Sequence, residues 1–144
     1  MSAGTGVVHS EMNDGTSELR FLQMWILPDK TDYAPNYGDY RFTWEDRIDK
    51  WLPIATGYHN TENTAPIKIH ADANVYATAL SAGERIGFRV GENRQAYLVL
   101  IEGNAEIEGI KLAARDALEI VAQDVTITAG QQAHLYVIEM ALEA

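Results

Sequence analysis

Residues 97–120, YLVLIEGNAEIEGIKLAARDALEI, decide the fold of this chain. An apolar run from Tyr97 ends near Gly103, a short alternating segment follows to Gly109, and Arg115-Asp116 precedes another apolar segment. Glycine and short polar residues supply the positive φ angles and side-chain hydrogen bonds that tight turns require. The stretch therefore predicts a buried strand, a short hairpin and a returning strand.

Short apolar segments bounded by turn residues continue on both sides of this stretch. No long segment has apolar residues at the i, i+3, i+4 and i+7 spacing that indicates a helix. Eight or nine short strands in about 80 residues are typical of an eight-stranded, double-sheet jelly roll, so the predicted fold class is all-β. The predicted strands are 67–71, 74–80, 86–90, 95–102, 105–107, 110–112, 117–121, 125–128 and 133–142.

The first third of the chain is less regular. Strands are predicted over 6–11 and 19–27, and the second is apolar on both faces and ends at Pro28. Turn-forming residues, Tyr and Trp then predominate as far as Asn63, which indicates a connector that packs through its aromatic side chains. Within it, residues 43–52 are predicted to form a short helix, capped by a threonine and followed by acidic residues in the first turn.

Composition excludes several functions. The 144 residues carry a formal net charge of −10, which disfavours direct binding to nucleic acid or to anionic membranes. The chain has no cysteine, so thiolate metal sites, disulfides and cysteine nucleophiles are excluded. No apolar run reaches the roughly 20 residues of a membrane span, and no secretory signal is recognised, so the expected location is the cytoplasm.

The N-terminal stretch MSAGTGVVHSEMN holds the best candidate site, His9 and Glu11. In a strand, residues i and i+2 lie on the same face, so the imidazole and the carboxylate would converge on one point. Such a pair suits Fe(II), Mn(II) or a similar divalent ion. Two ligands leave an ion mostly hydrated, so the pair predicts a half-site of low occupancy.

The same stretch resembles a family signature, Met-Thr-Ala-Gly-x-Gly-Ile-x-His-Ser-Glu-x-Asn, of the pirin family. A second motif of that family, Leu-Gln-Leu-Trp followed by proline, resembles Leu22-Gln23-Met24-Trp25 followed by Pro28. Two motifs in the right order make the resemblance specific. The matching positions of the first motif are Met1, Ala3, Gly4, Gly6, His9, Ser10, Glu11 and Asn13.

The resemblance implies a bicupin whose N-terminal cupin binds a metal, typically iron, through three histidines and one glutamate. His9 and Glu11 match the third histidine and the glutamate, whereas the His-x-His motif that supplies the other two has no counterpart in this sequence. Bacterial members include quercetin 2,3-dioxygenases, which cleave flavonols with O₂. In that activity Glu11 would also serve as a base, and the missing ligands would come from another chain or from a two-His, two-Glu site across a dimer axis.

Other polar residues are interpreted as structural. His59 is expected to be exposed, His70 to lie on the polar face of a strand, and His134 to begin the last strand as a possible vestige of a cupin ligand. The hairpin glutamates alternate with apolar residues or lie at turns, which indicates a solvated face rather than an acid–base pair. They are Glu102, Glu106, Glu108 and Glu119.

We therefore predict a cupin-type double-stranded β-helix, or jelly roll, with an N-terminal β arm left from a first cupin. The predicted domains are 1–28 for the remnant strands, 29–65 for the aromatic-rich connector and 66–144 for the C-terminal cupin. The predicted function is that of a truncated pirin-like structural or interaction module without catalysis. The alternative is a metal-dependent quercetin 2,3-dioxygenase that uses His9 and Glu11. Exposed apolar strands of the arm predict a homodimer.

Overall fold

The computed structural model describes residues 1–142, which form ten β-strands and one 3₁₀ turn. The turn is Glu45–Arg47. The strands are β1 (Leu52–Gly57), β2 (Ile67–Ile69), β3 (Ala73–Leu80), β4 (Arg85–Phe88), β5 (Arg94–Glu102), β6 (Asn104–Ile107), β7 (Ile110–Ala113), β8 (Ala117–Val121), β9 (Val125–Ala129) and β10 (Ala133–Ala141).

The strands form two sheets, of six and four strands. The larger has the order β2-β1-β3-β10-β5-β8, and the smaller has the order β4-β9-β6-β7. All neighbours are antiparallel except β1 and β2, which are parallel. Two sheets that share one core are the architecture of a jelly roll, so the predicted all-β cupin fold is confirmed.

The stretch 97–120 behaves as the sequence predicts. Strand β5 lies in the large sheet, the β6–β7 hairpin lies in the small sheet, and β8 returns to pair with β5. Gly103 and Gly109 have φ angles of 86° and 84° at the two turns. At Gly103 a side chain would also collide with the backbone oxygen of Gln132. Glycine is required there both by the backbone conformation and by the close approach of the neighbouring chain.

The core lies between the sheets and follows the alternation of the strands. Leu98, Leu100, Leu135 and Val137 point inward from the large sheet, and Ile107 and Ile127 are among the side chains that meet them from the small sheet. These side chains are almost fully buried. In β10, buried and half-buried residues alternate with a period of two from Ala133 to Met140.

The connector contributes more regular structure than the sequence predicts. Strand β1, which falls inside the predicted connector, pairs with β3, and its register shifts between Pro53 and Ala55. Proline removes a ladder donor and is tolerated in sheets at such irregularities, so its presence concealed the strand. The aromatic packing expected of this region also occurs, since Trp51 packs edge-on against Phe88 with ring centroids 4.9 Å apart. The predicted domain boundaries stay a prediction.

The helix predicted over 43–52 is reduced to the single 3₁₀ turn. The Asp46 carboxylate accepts a hydrogen bond of 3.0 Å from the Thr43 backbone N–H, but the N-cap position is Trp44, which makes no side-chain cap. The chain then leaves the helical conformation because the backbone N–H of Asp49 donates to the carbonyl of Ala79 at the edge of β3. Pairing with the sheet therefore ends the helix after one turn.

The strands predicted over 6–11 and 19–27 are wrong. Only an isolated bridge between Ser2 and Asn36 is formed in residues 1–28, and most side chains of this N-terminal arm are exposed. A strand needs a neighbour to satisfy its backbone N–H and C=O groups, and among residues 1–142 the segments 6–11 and 19–27 have none. Residues 1–28 carry the apolar pattern of a buried strand without the sheet that would bury it. Among residues 1–142, no helix is long and apolar enough to cross a membrane.

Candidate metal centre

The structure brings His9 and Glu11 together. The His9 Nε2 atom lies 3.8 Å from the Glu11 Oε1 atom, and the two side chains are 31% and 63% exposed. Ligands of a first-row transition metal bind at about 2.1 Å, so a modest rotation of either side chain would put both atoms on one ion. This is the convergence expected for the pair, although the segment that carries it is not a strand.

A third ligand is missing from the part of the chain that the structure describes. Within residues 1–142, no group of three or more His, Cys, Asp or Glu side chains is arranged to hold a metal ion. The nearest polar neighbour of His9 is Gln23, whose Nε2 lies 3.4 Å from the His9 Nε2. An amide nitrogen is not a metal ligand, so the described residues bring only two donors together here, and the half-site stays a prediction.

Two other histidines lie near the connector. His59 is exposed, as expected, with its Nε2 atom 3.6 Å from the Asp29 carboxylate. His70 is stacked between Tyr33 and Tyr58, with ring centroids 3.6 Å and 4.4 Å away. His70 was predicted to lie on the polar face of a strand, but β2 ends at Ile69 and His70 lies just beyond it. The stack was not predicted, because its two tyrosines come from other segments of the chain.

The Tyr33–His70–Tyr58 stack fixes the connector against the end of β2. The backbone N–H of Asp29 donates to the carbonyl of His70 at 2.8 Å, and the Tyr33 hydroxyl donates to the Asp29 carboxylate at 2.8 Å. That second hydrogen bond is the main reason why the pKa of Asp29 is lowered and that of Tyr33 is raised. The stack therefore joins the start of the connector to the cupin.

His134 lies on the outer face of the large sheet at the start of β10, not in a metal centre. Its Nε2 atom lies 3.3 Å from Nη1 of Arg47, and the Trp44 ring meets it edge-on at 4.9 Å. Burial, and then the positive charge of Arg47, lower the pKa of His134, whereas Glu102 opposes them. A neutral imidazole accepts the arginine N–H, which supports the structural interpretation of this residue.

The main polar cluster of the cupin was not predicted. Glu139 points inward from β10, where its carboxylate accepts hydrogen bonds from the Arg94 guanidinium and, at 2.7 Å, from the Asn74 amide. The Asn74 amide oxygen in turn accepts from Thr56 at 2.5 Å. Arg94 also donates to Asp72 at 2.7 Å, and these carboxylates raise its pKa.

One sequence signal for this cluster was available. Every second residue of β10 points inward, and these residues include Leu135, Val137 and Glu139. The glutamate therefore occupies a core position of the pattern. A charged residue at such a position needs a buried partner, but the sequence alone does not identify Arg94. By contrast, the four hairpin glutamates considered for acid–base chemistry are all exposed, as expected.

Comparison with known families agrees with this architecture. The family described as "Quercetinase C-terminal cupin domain" matches residues 59–140, more than half of the chain. This chain belongs to the pirin and quercetinase family. The match covers β2 to β10, almost the whole jelly roll, and excludes the arm with His9 and Glu11.

Curated relatives extend the similarity into the arm. The chain is 37% identical over 142 residues to a pirin-like protein of Caulobacter vibrioides, covering 98% of this chain and 60% of that protein. It is 34% identical over 142 residues to a putative quercetin 2,3-dioxygenase of Pseudomonas aeruginosa, with the same coverage of 98% and 60%. The chain thus spans about 60% of the length of these relatives.

Solved structures show the same fold. The bacterial pirin YhhW of Escherichia coli in complex with nickel(II) superimposes with a TM-score of 0.72 at 21% identity, covering 83% of this chain and 49% of that protein. A quercetin 2,3-dioxygenase from Acinetobacter baumannii gives a TM-score of 0.56 at 15% identity, over 64% and 32% of the two chains. At these identities the similarity concerns the fold alone.

The donor set of this chain fits such a metal only in part. A transition-metal centre in a protein needs three or four protein ligands, and the described residues bring two together. Imidazole and carboxylate are suitable donors for nickel or iron. His9 and Glu11 therefore match in chemistry but not in number.

Proposed function

We propose that this chain acts as a non-catalytic interaction module, a pirin-like cupin whose apolar N-terminal arm binds another protein surface. The observation that carries the proposal is the combination of a well-packed cupin with an arm that has apolar side chains but no sheet partner. The arm holds a two-ligand half-site, for which we expect low metal occupancy at ordinary metal concentrations.

The arm exposes a large apolar surface. Trp25 alone is 84% exposed. Monomeric soluble proteins rarely expose apolar patches of more than a few hundred Å², and larger patches mark interaction sites. The exposed large apolar residues of the arm after Met1 are Val7, Val8, Met12, Leu19, Phe21, Leu22, Met24, Trp25 and Leu27.

A second copy of the chain is the partner we propose for this surface. Residues 19–27 have the apolar composition of a buried strand, and two such segments can pair edge to edge across a two-fold axis, where each satisfies the backbone groups of the other. Light scattering at micromolar concentration should give twice the chain mass of 16.0 kDa. A monomeric mass would count against the dimer.

Matched serine variants separate the arm from the rest of the surface. Trp25→Ser with Leu27→Ser should convert the dimer to a monomer, because it removes two of the most exposed apolar side chains of the arm. Tyr97→Ser, on the outer face of the large sheet, removes an exposed aromatic ring elsewhere and should leave the dimer intact. Equal effects of the two variants would reject the arm as the interface.

The alternative function is that of a metal-dependent quercetin 2,3-dioxygenase with a flavonol substrate. The proximity of the His9 imidazole and the Glu11 carboxylate favours it, since they would be two of the ligands of iron or another divalent metal. The metal would supply O₂ activation, Glu11 would also hold the proton taken from the substrate hydroxyl, and the remaining ligands would come from outside the described residues.

Two measurements distinguish the proposals. Elemental analysis of the purified chain should give well under one metal per chain, and quercetin absorbance should not fall faster than in a metal-matched blank. Stoichiometric metal together with quercetin turnover that His9→Ala abolishes would establish the alternative instead.

A further inference from the structure

Arg47 differs from every other polar residue in the described chain. Its Nε atom is the only buried side-chain nitrogen or oxygen within residues 1–142 that has no hydrogen-bond partner. Buried polar atoms nearly always have a partner, so an exception requires an explanation. Nor does any carboxylate among these residues lie within the 4.0 Å salt-bridge distance of its guanidinium.

The groups that do contact the guanidinium are neutral. Its Nη1 atom lies 3.3 Å from Nε2 of His134 and 3.4 Å from the Tyr136 hydroxyl, both at the long end of the hydrogen-bond range. Since the imidazole accepts from the arginine, it carries no charge of its own. The cluster formed by Trp44, Arg47, His134 and Tyr136 therefore has a positive charge without a directly paired anion.

Trp44 gives this cluster an apolar wall. Its ring lies against the guanidinium, with 5.4 Å between the arginine Cζ and the ring centroid, and the residue is 43% exposed. An arginine on an aromatic face is attracted by the quadrupole of the ring. The cluster thus combines a planar cationic donor with a flat apolar surface.

We propose that the Trp44–Arg47–His134–Tyr136 cluster binds a monocarboxylate with a flat apolar body, of the benzoate type. The guanidinium group is planar, and the spacing of its N–H donors matches the two oxygens of a carboxylate. The single positive charge of Arg47 would balance the single negative charge of the ligand. The exposed carboxylates of Asp46 and Glu102 interact electrostatically with Arg47 and His134, respectively, and they disfavour a dianion such as phosphate. The aromatic body of the ligand would pack on Trp44, which is partly exposed.

Occupancy is coupled to the proton on His134. The charged or titratable groups that face this ring are Arg47 from the connector, Tyr136 from its own strand and Glu102 from β5, and the paired residue in β3 is Ala79. A bound carboxylate adds a negative charge beside the imidazole and favours its protonated form. By linkage, the ligand raises the pKa of His134 and binds more tightly as the pH falls.

Nuclear magnetic resonance of the full chain tests the proposal directly. The three tryptophan indole N–H signals are assigned with single Trp→Phe variants, and sodium benzoate is titrated at neutral pH and constant ionic strength. The Trp44 signal should move along a saturable curve with a Kd on the order of 1 mM, which is reasonable for a ligand of this size. The Trp51 signal, whose indole N–H donates to the carbonyl of Gly87, should not move, and the His134 ring signals should titrate at higher pH with benzoate present.

Matched variants and ligands define the outcomes. Arg47→Gln should weaken binding about tenfold or more, because it removes the charged fork, whereas Arg85→Gln removes an exposed arginine on the small sheet and should bind as the parent does. Acetate should bind more weakly than benzoate. If Arg47→Gln does not fold, the titration of His134 in the parent chain, with and without benzoate, still tests the proposal. No saturable change, equal binding by Arg47→Gln, or preference for inorganic phosphate would overturn the proposal.

Discussion

The ion pair between Arg94 and Glu139 should stabilise the cupin measurably, and a double-mutant cycle tests how much. The Glu139 carboxylate faces the core side of β10 and accepts from both Nε and Nη2 of Arg94. The side chain of Glu139 is 11% exposed and that of Arg94 is 23% exposed. Arg94→Met leaves a nearly buried carboxylate without its counter-charge, and we expect a loss of about 3 kcal/mol in the free energy of unfolding, the lower end for broken buried pairs.

The other corners of the cycle follow from what each variant leaves behind. Glu139→Gln keeps the shape of the side chain and an acceptor for Asn74, so it should cost about 1 kcal/mol. The double variant has no unpaired buried carboxylate and should lose about 2 kcal/mol, less than the additive value of about 4. The coupling energy is therefore expected to be about 2 kcal/mol.

Urea denaturation followed by circular dichroism measures each corner. With an m-value of about 2 kcal/mol/M, Arg94→Met should lower the midpoint by about 1.5 M. Arg85→Met, at an exposed position in β4, is the matched control and should change stability by less than about 0.5 kcal/mol. A coupling energy below about 0.5 kcal/mol would show that the pair is effectively solvated and that the inward network does not stabilise the fold.

Three further predictions concern separate parts of the fold. Burial lowers the pKa of His134 in the folded state, so this imidazole binds a proton more readily in the unfolded chain. The free energy of unfolding should therefore fall as the pH drops below about 6.5. The His134→Gln variant should show a weaker pH dependence of the melting temperature. Gly103→Ala should destabilise the chain by at least about 2 kcal/mol more than Gly83→Ala. Both glycines have positive φ, but of the two only Gly83 has open space for a Cβ atom. Equal urea midpoints for the two variants would contradict the close approach of Gln132 to Gly103. His70→Ala removes two stacked ring pairs, with Tyr33 and Tyr58. Amide hydrogen exchange of residues 29–36 should become about tenfold faster relative to that of β10. Unchanged exchange rates of residues 29–36 would show that the stack does not hold the connector.

The cupin itself was largely predictable from local pattern. Strands β5 to β9 follow the alternation and turn residues of 94–129, because each hairpin is encoded by neighbours in the chain and by glycines with positive φ. The family resemblance rested on motifs in the first 28 residues and was confirmed through the C-terminal domain. Strand β1 was missed because Pro53 sits at a bulge that only pairing with β3 makes acceptable.

The candidate sites also differ in whether the sequence alone could predict them. His9 and Glu11 were found from sequence because two residues at i and i+2 are local, and their 3.8 Å separation confirms that they approach each other. The clusters around Glu139 and Arg47 were not found, because their members lie tens of residues apart and meet only across strands. Spacing in the chain carries no information about such pairs.

What the sequence by itself determined is the jelly roll and its central hairpin, since both depend on turn chemistry and side-chain alternation over a few residues. Only the tertiary structure decided that residues 6–11 and 19–27 are not strands, that β1 joins β3, and that Glu139 and Arg47 receive their particular neighbours. The physical reason is that a strand requires a hydrogen-bonded neighbour and a buried charge requires a partner. Those partners come from distant parts of the chain, whose positions are set only when the sheets pack.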